Sequence, residues 1–148
     1  MSQNGAASGD GPEPFRHRLR VRYSECDPQG HVFNARYLEY FDIGMTEIWR
    51  ETLGPYDAAM EGSGVDMVVA EASIRYFASL QFDQEFDLEL LVTHMGTTSM
   101  ITSIAIVDVD GNRSAEGEIR HVFITKGTAT KTPIPDEVRT ALAPFATV

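Results

Sequence analysis

Cysteine, basic side chains and long apolar runs are all scarce in this sequence. Cys26 is the single cysteine, so no internal disulfide can form and a reducing, cytoplasmic location is favoured. The 12 basic and 22 acidic residues give a net charge of −10, which argues against a general binder of nucleic acid or acidic membranes. No apolar run is long enough to span a bilayer, so no membrane partner is expected.

The first residues differ in composition from the rest of the chain. Residues 1–14 are rich in Gly, Ser, Ala and Pro and lack the basic and apolar regions of a secretory signal. We therefore predict a disordered leader at 1–14 and one domain at 15–148. Neither an internal repeat nor a linker to a second domain is visible in the sequence.

The strongest local pattern predicts a helix at 35–53. Asn34 suits its N-cap, and Gly54 followed by Pro55 ends it. Gly44 lies mid-helix, which predicts that something packs closely against the backbone there. More than half of the helix circumference is apolar, so the helix needs cover on several sides; its apolar positions are Tyr37, Leu38, Tyr40, Phe41, Met45, Ile48, Trp49 and Leu53.

Most of the remaining chain has the alternation typical of strands. The spacing of these strands favours an antiparallel meander, with a hairpin turn at Asp110-Gly111 and a short helix at 136–142. The fold class is therefore α+β, a sheet of about five strands curling around one helix. Apolar residues on both faces of several strands predict a second subunit as cover. The predicted strands are 15–23, 65–77, 86–94, 98–109 and 113–126.

The first strand places four arginines on one face, which has two interpretations. In the favoured one, the face is solvated and balances acidic neighbours. In the other, the guanidinium groups bind phosphates, which their geometry fits well. The residues are Arg16, Arg18, Arg20 and Arg22.

The turn at 26–31 places Asp27 and His31 just before the helix. A helix start has unpaired N–H groups and partial positive charge, and so can hold developing negative charge. A carboxylate, an imidazole and such a helix end can together form an active site. Asp27 also has a structural alternative, because Asp before Pro28 is common in turns.

These residues carry a resemblance to a known family. The motif Asp27-x-x-Gly-His-Val-x-Asn34 and the Tyr-rich helix after it resemble the 4-hydroxybenzoyl-CoA thioesterase family, which are acyl-CoA thioesterases of the hotdog fold. The similarity continues through Val69-Ala-Glu-Ala-Ser-Ile-Arg-Tyr-Phe and Lys131-Thr-Pro-Ile-Pro and covers about residues 15–138 in order.

The resemblance implies a hotdog domain that hydrolyses an acyl-CoA thioester to a free acid and CoA. It implies a homodimer or homotetramer, with the site at a subunit interface and no metal or prosthetic group. Asp27 would be the general base or the nucleophile, and N–H groups near 33–35 would polarise the carbonyl. These roles agree with thioester chemistry, since an activated carbonyl needs little more than a carboxylate and an oxyanion site.

The role of His31 stays open between orienting Asp27 or a water and bonding within the turn. The candidates for substrate binding are Gly30, Val32, Phe33, Asn34, Tyr37 and Glu71. Gly30 lets the backbone approach the substrate, and Phe33 shapes the acyl pocket. Asn34 is favoured as a cap and Tyr37 as core. Glu71 either pairs with Arg75 or helps to align a water, and the structural role is favoured.

Two other functions remain open. One is a hotdog hydratase or dehydratase, whose residues have a different arrangement. The other is a non-catalytic acyl-CoA-binding or sensing module, against which the intact Asp27 counts. Cys26 is interpreted as a small packing residue, although a lone cysteine near a histidine can be a nucleophile. The acyl group, and the choice between CoA and carrier-protein thioesters, are open at this point.

Overall fold

A computed structural model describes residues 11–147, so the first ten residues of the predicted leader lie outside it. No helix in this range is both long and apolar enough to cross a membrane. The predicted α+β class is confirmed, and the terminal helix has its predicted bounds. In chain order the elements are β1 (Phe15–Arg20), α1 (Arg36–Leu53), α2 (Tyr56–Met60), β2 (Val65–Tyr76), β3 (Glu85–Met95), β4 (Ser99–Asp108), β5 (Arg113–Thr125) and α3 (Asp136–Leu142).

The strands of residues 11–147 form one antiparallel five-stranded sheet in the order β1-β3-β4-β5-β2. The predicted meander is therefore correct only for β3, β4 and β5. Strand β2 pairs with β5 instead of with β3, because β1 already occupies the free side of β3. Among the described strands, β1 and β2 are consequently the two edges of the sheet.

Helix α1 lies against the inner face of the sheet, and close packing at Gly44 is confirmed. A Cβ at Gly44 would lie 3.1 Å from Leu90 Cδ1 and 3.4 Å from Leu88 Cδ1. Leu38 was predicted to be buried but is 45% exposed. The buried helix residues are Tyr37, Tyr40, Phe41, Gly44, Met45, Ile48 and Trp49.

Two local predictions are wrong. Tyr23 was placed in the first strand, but β1 ends at Arg20 and Tyr23 begins a short 3-10 turn in which it is 80% exposed. The stretch after α1 was predicted to be a connector, but it contains α2. Tyr56 of α2 donates to Asp66 Oδ1 at 2.5 Å and thereby ties α2 to β2.

The arginines of β1 face acidic side chains, which confirms the charge-balancing interpretation. Arg16 Nε contacts Glu89 Oε2 at 3.0 Å, and Arg18 Nε contacts Asp87 Oδ1 at 2.9 Å. The hydrogen bond from Arg18 lowers the pKa of Asp87. The next arginine, Arg20, donates to the Asp83 carbonyl at 2.7 Å. These exposed pairs are worth little individually, and each engages only some of the N–H donors of its arginine.

Gly117 on β5 is a position where no side chain fits. A Cβ there would lie 1.9 Å from the carbonyl oxygen of Ser73 on the neighbouring strand β2. We predict that Gly117→Ala destabilises the fold by about 2 kcal/mol, because the clash is with paired backbone that cannot move aside. Urea denaturation should show a lower midpoint at an unchanged slope.

Gly11→Ala is the matched control for this change. A Cβ at Gly11 meets no atom within 4 Å, and the backbone φ there is not in the left-handed region. Its midpoint should match that of the wild type. A Gly117→Ala midpoint equal to the wild-type value would contradict the packing described for β2 and β5.

Candidate active site

Asp27 is held in a tight, hydrogen-bonded turn. Its N–H donates to the His31 carbonyl at 2.7 Å, and Gly30, with a φ of 84°, donates its N–H to the Asp27 carbonyl at 3.0 Å. Asp27 Oδ1 accepts the N–H groups of Gln29 at 2.9 Å and His31 at 3.2 Å. The structural role considered for Asp27 is therefore real, and it occupies one carboxylate oxygen. The other oxygen, Oδ2, has no hydrogen-bond partner in residues 11–147, and Asp27 is half-buried.

The start of α1 offers N–H groups beside this turn. Residues 25–27 pair with 31–33, and within this pairing the Phe33 N–H donates to the Glu25 carbonyl at 3.0 Å. Within residues 33–35, the N–H group of Phe33 therefore already has an acceptor. The N–H groups of Asn34 and Ala35 donate to no acceptor in the described part of the chain, and both residues are exposed. Unpaired N–H groups at a helix start, together with the helix dipole, can hold developing negative charge.

The prediction that Asn34 caps the helix is wrong. The helix begins at Arg36 with Ala35 as N-cap, and no side-chain cap bond is present. Backbone bonds replace it, since the Arg36 N–H donates to the Phe33 carbonyl at 2.9 Å. The Asn34 carbonyl accepts the hydroxyl of Tyr76 at 3.2 Å, which ties the helix start to the end of β2. Phe33, beside this contact, is 55% exposed.

Three other predicted residues contact the turn or the segment at 80–81 that holds it. Val32 is 4% exposed, and its N–H donates to the Leu80 carbonyl at 2.8 Å. Tyr37 is 2% exposed, and its hydroxyl accepts the Leu80 N–H at 3.1 Å. His31 contacts Asp27 through its backbone, while its ring makes no hydrogen bond within residues 11–147. Its main chain also pairs with Gln81. Residues 80–81, which hold the turn, were not recognised from the sequence.

Glu71 lies apart from these residues. A bulge between Val69 and Glu71 sets the register of β2, and Glu71 pairs with Arg120 at 3.5 Å on the sheet face away from α1. Its side chain is 74% exposed. The expected partner Arg75 instead contacts Glu116 at 2.6 Å, so the Glu71–Arg75 pairing was wrong. Cross-strand neighbours lie about 5 Å apart, whereas residues four apart on one strand are separated by about 13 Å, which decides the pairing.

The surroundings of Cys26 favour its packing role. Burial raises the pKa of the Cys26 thiol, and the carboxylates of Asp27 and Glu25 raise it further. The thiol is therefore poorly suited to act as a nucleophile. Glu25 accepts the Tyr40 hydroxyl at 2.8 Å and the Arg22 N–H at 2.8 Å, so it braces the turn against α1.

A second feature, which the sequence did not reveal, is a cleft of about 280 Å³ between α1 and β2. We call it the α1–β2 cleft. In the sequence its helix residues are indistinguishable from core positions, because they share one helical stripe. Burial lowers the pKa of His121 in this cleft to about 4, with Asp42 opposing the shift. The cleft is lined by Asp42, Met45, Thr46, Trp49, Tyr56, Met67, Val69 and His121.

The family is shown by a match over most of the chain. A profile of the Thioesterase-like superfamily matches residues 21–142, which include the turn, α1 and every strand except β1. The chain belongs to this superfamily. The predicted hotdog fold and the predicted thioesterase class are thereby confirmed.

Individual relatives agree with this assignment. The chain is 28% identical over 110 residues to the acyl-CoA thioester hydrolase YbgC of Escherichia coli, covering 74% of this chain and 81% of the relative. The crystal structure of a hypothetical protein from Aquifex aeolicus is 28% identical, with a TM-score of 0.78 over 87% of this chain and 99% of the other. A 1,4-dihydroxy-2-naphthoyl-CoA thioesterase from Synechocystis is 20% identical with a TM-score of 0.78, covering 87% of this chain and 95% of the other. It shows likeness of fold alone.

The turn bonds of Asp27 generate a stability prediction. Asp27→Ala should destabilise the protein by about 1 kcal/mol, because two backbone N–H groups lose their acceptor. Asp27→Asn should be nearly neutral, since its amide oxygen can accept both. Urea midpoints of the two variants measure the difference.

Asp108 provides a matched control in another turn. Its Oδ1 accepts the N–H groups of Asp110 and Asn112, each at 2.9 Å, in the same arrangement. Asp108→Ala should therefore cost about as much as Asp27→Ala. An Asp27→Ala protein as stable as the wild type would show that these bonds do not hold the turn.

Proposed function

We propose that this protein is an acyl-CoA thioester hydrolase that uses Asp27 and the start of α1. The observation that carries the proposal is that Asp27 Oδ2 in the turn and the N–H groups of Asn34 and Ala35 at the start of α1 all lack hydrogen-bond partners in residues 11–147, within eight residues of one another in the chain. The names of the relatives support the reaction class. We further propose that the protein is a member of the narrower 4-hydroxybenzoyl-CoA thioesterase family, on the motif from Asp27 to Asn34.

The proposed reaction follows from these groups. The thioester oxygen accepts the N–H groups of Asn34 and Ala35, which stabilise the negative charge that develops as the carbonyl is attacked. Asp27 removes a proton from the attacking water, or attacks the carbonyl itself and is released by water afterwards. The C–S bond breaks, the acid leaves with the water oxygen, and the proton passes to the CoA sulfur. No metal or prosthetic group is needed, and a cytoplasmic location suits the CoA substrate.

We also propose that the working unit contains a dimer formed through β2. As an edge strand of twelve residues, β2 has unpaired backbone groups, which favour pairing with another strand. Exposed apolar side chains follow its length: Val68 (41%), Val69 (56%), Tyr76 (50%) and, just beyond it, Phe77 (54%). Apolar residues on both faces of the strands were the reason for expecting a second subunit. The outer face of β4 does not support that reason, because Ala105 and Val107 are already buried within one chain.

A two-fold axis between paired β2 strands would assemble a site from both chains. Tyr76, at the end of β2, holds the helix start of its own chain, whereas Met67 and Val69 line the α1–β2 cleft near the beginning of β2. Antiparallel pairing sets the end of one strand opposite the beginning of the other. The thioester at one helix start would then face the cleft of the partner. This geometry supports an acyl group that crosses the interface.

Hydrolysis is tested by thiol release from a panel of acyl-CoAs, ranging from acetyl to long-chain and aromatic acyl groups. The wild type should turn over at least one member, and Asp27→Asn should lose about 100-fold or more in kcat while still binding it. Asp108→Asn makes the same substitution in a similar turn away from the candidate site, and it should retain activity.

Other results would favour one of the two alternative functions or remove Asp27 from the mechanism. Binding without turnover by the wild type would support the sensing module. Hydration of an enoyl-CoA without thiol release would support the hydratase. Full activity of Asp27→Asn would remove Asp27 from the mechanism.

The dimer is tested by placing a charge on β2. Ala72 is exposed on the helix-facing side of β2, opposite Ile119, so Ala72→Arg should give a monomer in sedimentation and reduce hydrolysis about tenfold or more. Val109→Arg, at a position 57% exposed beside the β4–β5 turn, should remain dimeric. A monomeric wild type, or a dimeric Ala72→Arg protein, would contradict the proposed interface.

A further inference from the structure

Two buried ring nitrogens on residues of the α1–β2 cleft lack hydrogen-bond partners. They are Trp49 Nε1 and His121 Nδ1, and no side chain or backbone group in residues 11–147 bonds to either. Trp49 is 1% exposed and His121 5% exposed. Native proteins satisfy nearly all of their buried polar atoms, so two unpaired nitrogens on residues that line one cleft indicate a missing partner.

The chemistry of the two nitrogens limits what the partner can be. An indole N–H only donates, so the group at Trp49 must be an acceptor. His121 is uncharged at neutral pH, because burial lowers its pKa to about 4, and a neutral imidazole nitrogen donates or accepts according to its tautomer. A hydroxyl oxygen can satisfy both rings at once, and a keto oxygen can accept from both.

The rest of the cleft favours a mainly apolar occupant without a negative charge. Met45, Met67 and Val69 supply apolar walls, while the carboxylate of Asp42 lies in the lining and disfavours a negative end group. The volume of about 280 Å³ is ample, because a cavity of roughly 150 Å³ already accommodates benzene. The cleft therefore suits an uncharged, mainly apolar group that carries an oxygen.

We propose that the α1–β2 cleft receives the far end of the acyl group and selects acyl groups that carry a hydroxyl or keto oxygen there. This rests on the proposed hydrolase function for the identity of the ligand as a thioester, and on the proposed dimer for the approach of that thioester to the cleft of the partner. Both nitrogens are closed to solvent, so a ligand reaches them only if neighbouring side chains shift. Met45 and Met67 in the lining are flexible enough to do so.

The test uses matched ligands and the only tryptophan in the chain, which reports directly on the cleft. Straight-chain acyl-CoAs of four to ten carbons and their terminally hydroxylated counterparts are titrated into the Asp27→Asn protein, which does not consume them. At one or more lengths the hydroxylated ligand should bind about tenfold more tightly, the usual effect of one good hydrogen bond, and should change Trp49 emission.

Variants then assign the preference to the cleft, with calorimetry replacing fluorescence. Trp49→Phe in the same background removes the N–H but keeps an aromatic ring, and it should abolish most of the preference. Thr102→Val is the matched control. Thr102 also has a buried oxygen without a partner and is fully buried, but it lies on β4 outside the cleft lining. It should leave the preference unchanged.

Each outcome decides a separate question. Equal affinities at all lengths, or full preference in a folded Trp49→Phe protein, would overturn the proposal; if Trp49→Phe does not fold, His121→Phe takes its place. Preference without thiol release by the wild type would leave the cleft assignment standing and reject the hydrolase. Thiol release with no preference and unchanged Trp49 emission would support the hydrolase and reject the cleft assignment.

Discussion

The structure depends on the burial of one apolar helix against one sheet. Helix α1 has too many large apolar side chains to be stable in water, and the sheet covers it closely because Gly44 admits Leu88 and Leu90 to the helix backbone. A larger side chain at that position would hold the helix away from β3. The helix position in turn fixes where its first N–H groups point. The candidate oxyanion site is therefore a consequence of core packing several turns away.

The elements could be predicted from the sequence because their signals are local. The periodicity of α1, its glycine end and the alternation of the strands depend on neighbours in the chain. The strand order could not be predicted, since the pairing of β2 with β5 depends on which edges are free. The failure at Asn34 has a similar origin. A cap preference is a local tendency, and here backbone bonds and the contact with Tyr76 determine the helix start.

For the same reason, only part of the candidate site could be predicted from the sequence. The motif from Asp27 to Asn34 is contiguous, so its residues can be identified from the sequence alone. Glu71 was misplaced because a single bulge at Ala70 and a cross-strand arginine decide its surroundings. The α1–β2 cleft was missed because Trp49 and His121 belong to elements far apart in the chain. Each of them, taken alone, resembles an ordinary core residue.

The position of β2 has a consequence for how the chain folds. Its partner β5 lies far along the sequence, with Val65 paired to Thr125 and Tyr76 to Ala115, whereas β3, β4 and β5 are joined by short turns. Contacts between distant residues form slowly, because a long loop must lose conformational entropy before the contacts can stabilise it. The meander can therefore assemble while β2 is still an exposed, apolar strand. During that interval β2 exposes apolar side chains and unpaired backbone groups, the two features of an unfinished sheet that favour aggregation.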